Sequence, residues 1–433
     1  MRRIILLALV LTGMMVSYAA DPTATNYSWD ECQGSARPYP APKEVVAYPD
    51  SLTPIMINHV GRHGARFAAS SKHTTVLLAA LRDARDKGTL TACGKDLLAL
   101  TEGVVKITAG RWGALDSLGM AEQRGIASRM CRRYPMLINK HTVEALSSYS
   151  PRCIMSMYEF AHQISRMNNK VEIFTSSGRQ NSQLMRFFDL SNDYKELCEG
   201  TQLSDPIKEF TDANITMAPL RRALGKKYVL PADSADLAMA EYSVLAGLGA
   251  MNLQIDITKY FTKEEFNVLW GISNFRQYIQ RTASTVSSVP ADIASPLLLD
   301  LINTTDKFLA DSTSVAPVQL RLGHAETLMP LLSLMRLQGC YYLTNYYDTV
   351  GLHWKNFDIV PMAANLQLIL FRSKSGKIYV RCDLNEKPVH LIPNDQSLYV
   401  EWKKARTYLE RCVPIEFKSV SYTHLTLPTN REV

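Results

Sequence analysis

The sequence predicts an α/β fold, a largely parallel sheet sandwiched by helices, with a helical cap inserted into the chain. Two observations carry this. Twice, a strand-like apolar segment ends in a turn and is followed by an amphipathic helix. Between the second such unit and a third strand-like segment, residues 179–295 show helical patterning throughout. A chain of 433 residues with 46% apolar content exceeds one unit of about 150 residues and supports a large buried core. The expected organisation is residues 21–178 and 296–418 forming the core in two parts, 179–295 the cap, 1–20 a leader and 419–433 a disordered or non-native tail.

The leader begins with Arg2 and Arg3, runs apolar from Ile4 to Val16 and closes on Tyr18, Ala19 and Ala20 before Asp21. That order is a cleaved signal peptide, and the run is short for a membrane span. No cysteine follows the cleavage point, which excludes a lipoprotein, and the next apolar stretch, Leu237–Leu253, is interrupted by Glu241. A secreted or periplasmic protein with no membrane span after leader removal is expected.

Next, Thr53–Val60 (TPIMINHV) is apolar without alternation, as in a parallel strand buried on both faces. Ser70 and Ser71 then cap a helix over Thr74–Ala84, with Leu77, Leu78 and Leu81 on one face and Gly88 as its stop. Residues 142–150 form a second strand and Pro151–Met167 the following helix. In the third unit Val318, Leu320 and Leu322 alternate with Gln319 and Arg321. Helical spacing resumes from Leu328. Pro330 cannot donate a backbone hydrogen bond, so the helix is expected to start near Thr327. Leu366–Phe371 and Lys377–Cys382 flank Ser373-Lys374-Ser375-Gly376, a hairpin signal, and Trp402–Leu409 is the last helix.

Eight cysteines, at 32, 93, 131, 153, 198, 340, 382 and 412, are an even number that an exported chain can pair. Cys382 with Cys412 is one candidate pair. None forms CxxC, so neither a metal cage nor a thioredoxin-like site is indicated. The net charge of +7 favours an anionic partner. The basic residues are spread along the chain, and zinc-finger spacing and aromatic RNA-binding signatures are absent, so nucleic acid is not indicated.

Arg62-His63-Gly64-Ala65-Arg66 stands at the carboxyl end of the first buried strand, where open α/β sheets bind ligands. Two guanidiniums beside one imidazole suit a phosphoryl group. Arginine forks hold its oxygens, Gly64 admits close backbone approach, and the imidazole can attack phosphorus. A second histidine, His324 in Gly323-His324-Ala325-Glu326, lies where the third strand gives way to a helix. Free backbone N–H groups and the helix dipole favour an anion there. Glu326 can protonate a leaving oxygen, with its pKa raised by phosphate charge. His59 and His63 have metal-like spacing, but the strand and Gly61 between them remove the helical face that spacing requires. Gly247 and Gly249 lack a third glycine, since Asn252 stands in its place, and neither GxxxxGK[ST] nor GxSxG occurs. His73, His141, His162, His353, His390 and His424 are read as surface or core residues. No metal and no cofactor are expected.

With these two motifs the chain resembles the histidine acid phosphatases, branch 2 of the histidine phosphatase superfamily, and its HAE form is similar to the multiple inositol polyphosphate phosphatases. The resemblance spans most of the mature chain. It implies a phosphoglycerate-mutase-like α/β sandwich with a helical cap and hydrolysis of inositol polyphosphates such as phytate through a phosphohistidine. By the same resemblance His63 is the nucleophile, Arg62 and Arg66 clamp phosphate, and His324 donates to phosphate. Glu326 is the implied proton donor. Arg152, in Ser150-Pro151-Arg152-Cys153, matches a further clamp, and Lys72 a contact to distal phosphates. Phe67 and Ala68 stand where many relatives have proline after the second arginine, so the loop shape departs from the family pattern. A broad-specificity acid or sugar-phosphate phosphatase is the alternative, and a non-catalytic phosphate-binding surface protein is a third reading.

Overall fold

A computed structural model describes residues 26–44, 46–139 and 142–418. The leader, the terminal tail, His141 and His424 lie outside the described residues. Eight strands form one sheet: β1 Leu52–Arg62, β2 Thr142–Ser147, β3 Glu172–Ser177, β4 Val318–Gly323, β5 Asn365–Ser373, β6 Ile378–Leu384, β7 Lys387–Val389 and β8 Val400–Glu401. The order is β3-β2-β4-β1-β5-β6-β7, with β8 beside β6. β1 through β4 run parallel, and β5 to β8 continue the sheet antiparallel. Gly376, at φ +82°, turns β5 into β6 at the expected hairpin.

β1 is longer than its apolar run because it pairs on both sides to its end, Gly61 with Asn365 and Arg62 with Gly323. Its side chains divide between two cores. Ile57 packs with Val318, Leu320 and Ile369 against Ile126, Met130, Met157 and Phe160, from the helices Ser117–Arg133 and Pro151–Met167. Met56 and Val60 pack with Leu366 and Leu368 against Leu297, Leu301, Leu328 and Leu409, from the helices Ser295–Ala310, Ala325–Leu334 and Trp402–Cys412. A helix layer on each face is the expected sandwich, burying at roughly 25 cal/mol per Å2 the apolar surface of a sheet that water could not wet.

Three local expectations change. The alternation read in β4 does not leave its polar side chains exposed: all six residues are buried, because Gln319 donates to Glu144 at 2.8 Å and Arg321 to Asp300 at 2.8 Å and Asn58 at 2.9 Å. β2 stops at Ser147 rather than 150, as the chain turns to cap the proline-led helix. The helix after His324 starts at Ala325, not near Thr327. Thr327 Oγ1 accepts the His324 N–H at 3.0 Å, and Pro330 sits inside the helix, forgoing one backbone bond.

The helices between β3 and β4 gather a core that also recruits the helices Lys72–Asp86 and Ala92–Thr108. Leu77, Leu81, Leu97 and Val104 pack with Leu220, Leu237, Tyr242, Leu245 and Trp270. Two excursions of the chain thus build one helical layer beside the sheet. Among the described residues no helix is long and apolar enough to cross a membrane.

The cysteine expectation fails: all eight are free, and Cys382 and Cys412 are not paired. Cys382 is fully buried in β6, and Cys153 donates its S–H to the Gly323 carbonyl at 3.1 Å. Burial pushes Cys32 to about 12 and Cys131 and Cys153 to about 11, so these thiols serve as small apolar side chains. Denatured, unreduced protein should titrate with eight thiols; a lower count would mean bridges that this structure lacks.

Glu241 is 1% exposed, and neither carboxylate oxygen has a partner. Burial raises its pKa to about 8, against Arg222 and with Glu265. The folded state therefore holds this proton more tightly than the unfolded one, and stability is full below about pH 4.5 and lost as pH rises toward 8. Glu241→Gln should abolish that loss, up to about 1.4 kcal/mol per pH unit in this window. Denaturant unfolding at pH 5 and pH 8 reads it, and equal slopes for both proteins would refute it.

Candidate active site

Because β1, β2, β3 and β4 are parallel, their carboxyl ends share one edge of the sheet, and each delivers a basic side chain there. Arg62 ends β1, and His63 and Arg66 follow it. Arg152 lies in the first helical turn after β2, Arg186 follows β3, and His324 follows β4. Thr327 ties two of these segments together, donating to the Met185 carbonyl at 2.8 Å while accepting from His324.

The loop after β1 is held by its backbone. The N–H groups of Arg62 and His63 donate to Ala364 and Gly323, and the carbonyls of His63 and Ala65 accept from Ala363 and Asp116. Gln123 donates to the Arg62 carbonyl at 2.9 Å, and Ser156 Oγ accepts the Gly64 N–H at 3.1 Å. Glu122 accepts two backbone N–H groups, Ala65 and Tyr39, at 2.7 Å each. A Cβ at Gly64 would stand 2.3 Å from the Gly119 carbonyl oxygen, so the glycine is what lets the loop cross this helix.

His63 Nδ1 lies 2.9 Å from the Gly64 carbonyl oxygen. A carbonyl only accepts, so Nδ1 carries the proton and Nε2 keeps its lone pair. Burial, then Arg62, Arg66, Arg152 and His324, hold the pKa well below the usual histidine range. The ring is a neutral imidazole with a free nitrogen.

His324 Nε2 is 2.9 Å from Ser148 Oγ and 3.0 Å from Arg186 Nη1, and its Nδ1 is 3.3 Å from Arg152 Nη2. Burial lowers its pKa to about 3, opposed by Glu326 and assisted by Arg152, Arg186 and Arg62. A neutral imidazole has one acceptor nitrogen, whereas two guanidiniums point at it and can only donate. At least one arginine N–H is therefore left for an acceptor outside the protein. The two histidine rings are 5.8 Å apart.

Arg62 Nη1 is anchored on the carbonyls of Ser35 and Val360 at 2.6 Å each, and Arg66 Nη1 on Phe67 at 2.9 Å. The Nε groups of Arg62, Arg66 and Arg152 are buried without a partner. Burial, then Arg66, lowers Arg62 to about 9, and burial, then Arg152, lowers Arg66 to about 10. Arg62 and Arg66 are both shifted toward losing their charge, first by burial and then by neighbouring cations. An anion with several oxygens supplies counter-charge.

The protein's own groups act on Glu326 in the opposite sense to the phosphate charge expected to raise its pKa. Burial pulls upward, but Arg281, 3.8 Å away, together with His324, a backbone hydrogen bond and Arg62, holds the carboxyl below its usual range. Its side chain is 38% exposed by surface area, so water screens part of this effect. An anion neutralising those cations would lift the pKa.

The predicted residues His63, Arg62, Arg66, Arg152, His324 and Glu326 are thus brought together. Lys72 is not: it opens its helix, exposed, while the adjacent His73 lines a cavity of about 340 Å3 beside Arg62 and Arg66. Gln33, Ser70, Ser243 and Gln277 add polar lining to that cavity. Among the described residues no cluster of three or more His, Cys, Asp or Glu is placed to hold a metal. His59, read as lacking a metal role, is fully buried against Phe160 at 5.1 Å between ring centres. Sequence reasoning missed Arg186, which donates to Ser150 Oγ at 2.9 Å and pairs with Asp189 at 2.5 Å. No motif marks it, because only the parallel placement of β3 brings it to the site.

The family model described as histidine phosphatase superfamily (branch 2) matches residues 55–385. Multiple inositol polyphosphate phosphatase 1 of Gallus gallus is 25% identical over 396 residues, covering 84% of each chain. The Homo sapiens protein of the same name is 23% identical over 378 residues, covering 80% of this chain and 77% of that one. Among solved structures, Bifidobacterium longum multiple inositol polyphosphate phosphatase in complex with inositol hexasulfate superimposes with TM-score 0.74 at 19% identity, over 89% of this chain and 98% of that one. The phytase from D. castellii gives 0.70 at 16% identity, over 93% and 90%. These structural likenesses establish the fold.

Removing Arg186 deletes a charge-assisted donor worth about 1.5–3 kcal/mol. Arg186→Ala should therefore weaken inorganic phosphate binding by about 10-fold or more in calorimetry. Unchanged affinity would place Arg186 outside the anion site.

Proposed function

The chain belongs to the histidine phosphatase superfamily, branch 2, and from that membership and this pocket we propose that it is a phosphomonoesterase acting on inositol polyphosphates such as phytate. The observation that carries the reading is His63, a neutral imidazole whose protonated Nδ1 faces the Gly64 carbonyl and whose free Nε2 stands among uncompensated arginines. Nucleophilic attack on phosphorus needs that tautomer and that field. The likeness to phosphatases named for inositol polyphosphates, the net charge of +7 and the polar cavity beside Arg62 and Arg66 support a polyanionic substrate. The leader-like residues 1–20 support export to the periplasm or the medium.

In the proposed first step His63 Nε2 bonds to phosphorus as the phosphorus–oxygen ester bond breaks. Arg62, Arg66, Arg152, Arg186 and His324 stabilise the non-bridging oxygens. Glu326 gives its proton to the departing inositol oxygen, after substrate charge has offset the cations that hold it ionised. Water then attacks phosphorus, Glu326 takes its proton, and the phosphorus–nitrogen bond breaks to release phosphate and restore the imidazole. Lys72 and the helices around the cavity are proposed to meet the distal phosphates.

His63→Ala should abolish turnover of phytate, and wild type quenched during turnover without acid should carry phosphate on a histidine. Label on any other residue type would overturn the nucleophile. Glu326→Gln keeps the shape but delivers no proton, so phytate turnover should fall by about 10²–10⁴. An aryl phosphate, whose phenol leaves without help, should lose far less in phosphoenzyme formation. Equal losses for both substrates would assign the acid elsewhere.

A further inference from the structure

Glu122 lies behind the nucleophile loop, 9% exposed on the helix Ser117–Arg133, and no motif marks it. Its Oε2 accepts the Ala65 N–H at 2.7 Å, and its Oε1 accepts the Tyr39 N–H at 2.7 Å. Ala65 N–H and Gly64 C=O belong to the same peptide unit. That carbonyl accepts the Nδ1–H of His63 at 2.9 Å. A continuous chain therefore runs from the carboxylate through one peptide group to the imidazole.

We infer that Glu122 is a positioning residue for His63, acting through the Gly64–Ala65 peptide to hold the imidazole with Nδ1 protonated and Nε2 free. This rests on the phosphatase reading above. A carboxylate on the N–H side polarises an amide and enriches its carbonyl oxygen, so the Nδ1–H bond strengthens as positive charge develops on the ring during attack. The peptide stands where other histidine sites place a carboxylate directly on the ring. Both partners of Glu122 are N–H donors, so only the ionised, acceptor-only form satisfies both.

The charged and titratable groups around Glu122 are Arg62 at the end of β1, Asp116 at the start of its own helix, and Tyr39, whose hydroxyl donates to the Arg129-paired Glu386. Burial raises Glu122 to about 7, against the two N–H bonds and Arg62 and with Asp116. As pH falls through that range the carboxyl takes a proton, and one N–H loses its acceptor.

Glu122→Gln has the same shape but one acceptor oxygen for two donors. Rapid-quench measurement of phosphoenzyme formation from an aryl phosphate, which needs no proton from Glu326, should show a loss of about 10–100-fold. Inorganic phosphate affinity should stay within a few-fold, because the arginine clamps remain. Nitrogen-15 histidine NMR should show His63 protonated at Nδ1 in wild type and a growing Nε2-protonated fraction in the variant. The wild-type rate should fall with pH through the range of Glu122, and the variant's should not. A folded variant with unchanged rate and tautomer overturns the inference, as does a loss of phosphate affinity equal to the loss of rate. If the variant fails to fold, the wild-type pH series decides: a rate flat across that range overturns it. Wild type that forms no phosphohistidine at all overturns the phosphatase reading instead.

Discussion

Mutual repulsion among buried cations is the constraint around which this site is built. Buried Arg62 and half-buried Arg66, Arg152 and Arg186 converge with two buried histidines where screening by water is reduced, and left to themselves they would swing apart. What prevents this is backbone. Arg62 is pinned by two carbonyls at 2.6 Å, Arg66 by the carbonyl of Phe67, and the loop between them by sheet neighbours on either side. The parallel strands supply the rigidity, since their carboxyl ends cannot separate without breaking the ladders that join β1, β4, β2 and β3. Burial, reinforced by this repulsion, lowers Arg62 and Arg66, and the Nε donors of Arg62, Arg66 and Arg152 stay unpaired, a state that favours an anion.

Burial, reinforced by the same field, sets the protonation of both histidines. Neutral His63 is a competent nucleophile only in one tautomer, and the Gly64 carbonyl selects it. Neutral His324 cannot satisfy both guanidiniums that face it, so a donor remains for an incoming oxygen. One charge distribution thus keeps one ring reactive and the other a frustrated acceptor.

Local chemistry was legible in the sequence. The strand, loop and helix after Thr53 and the hairpin glycine at 376 depend on neighbours a few residues apart, and the structure places them as read, whereas the helix of the second histidine motif starts two residues earlier than read. Parallel topology then follows from short strands separated by helices. Residues defined by tertiary neighbours were not legible. Arg186 reaches the site through the parallel placement of β3, with Thr327 clasping the adjacent Met185 carbonyl, and Glu122 matters because a glycine crossing lays its helix against the loop. Cysteine pairing failed for a similar reason: an even count permits bridges, but the packing spends Cys153 on a carbonyl and Cys382 inside a strand.

Glu326 shows how the fold and the substrate divide one task. Arg281 and Arg62 hold its carboxyl ionised, which is the wrong form for a proton donor and the right form for a later base. A dianionic phosphoryl group among the arginines would offset the charges that depress it, so in the proposed mechanism the site gains its acid from the substrate it cleaves. The carboxylate that remains once this proton has gone to the alcohol is then the base proposed to take a proton from water. Under that proposal no second acid–base residue is required, only arginines close enough to hold Glu326 ionised and a substrate charged enough to release it.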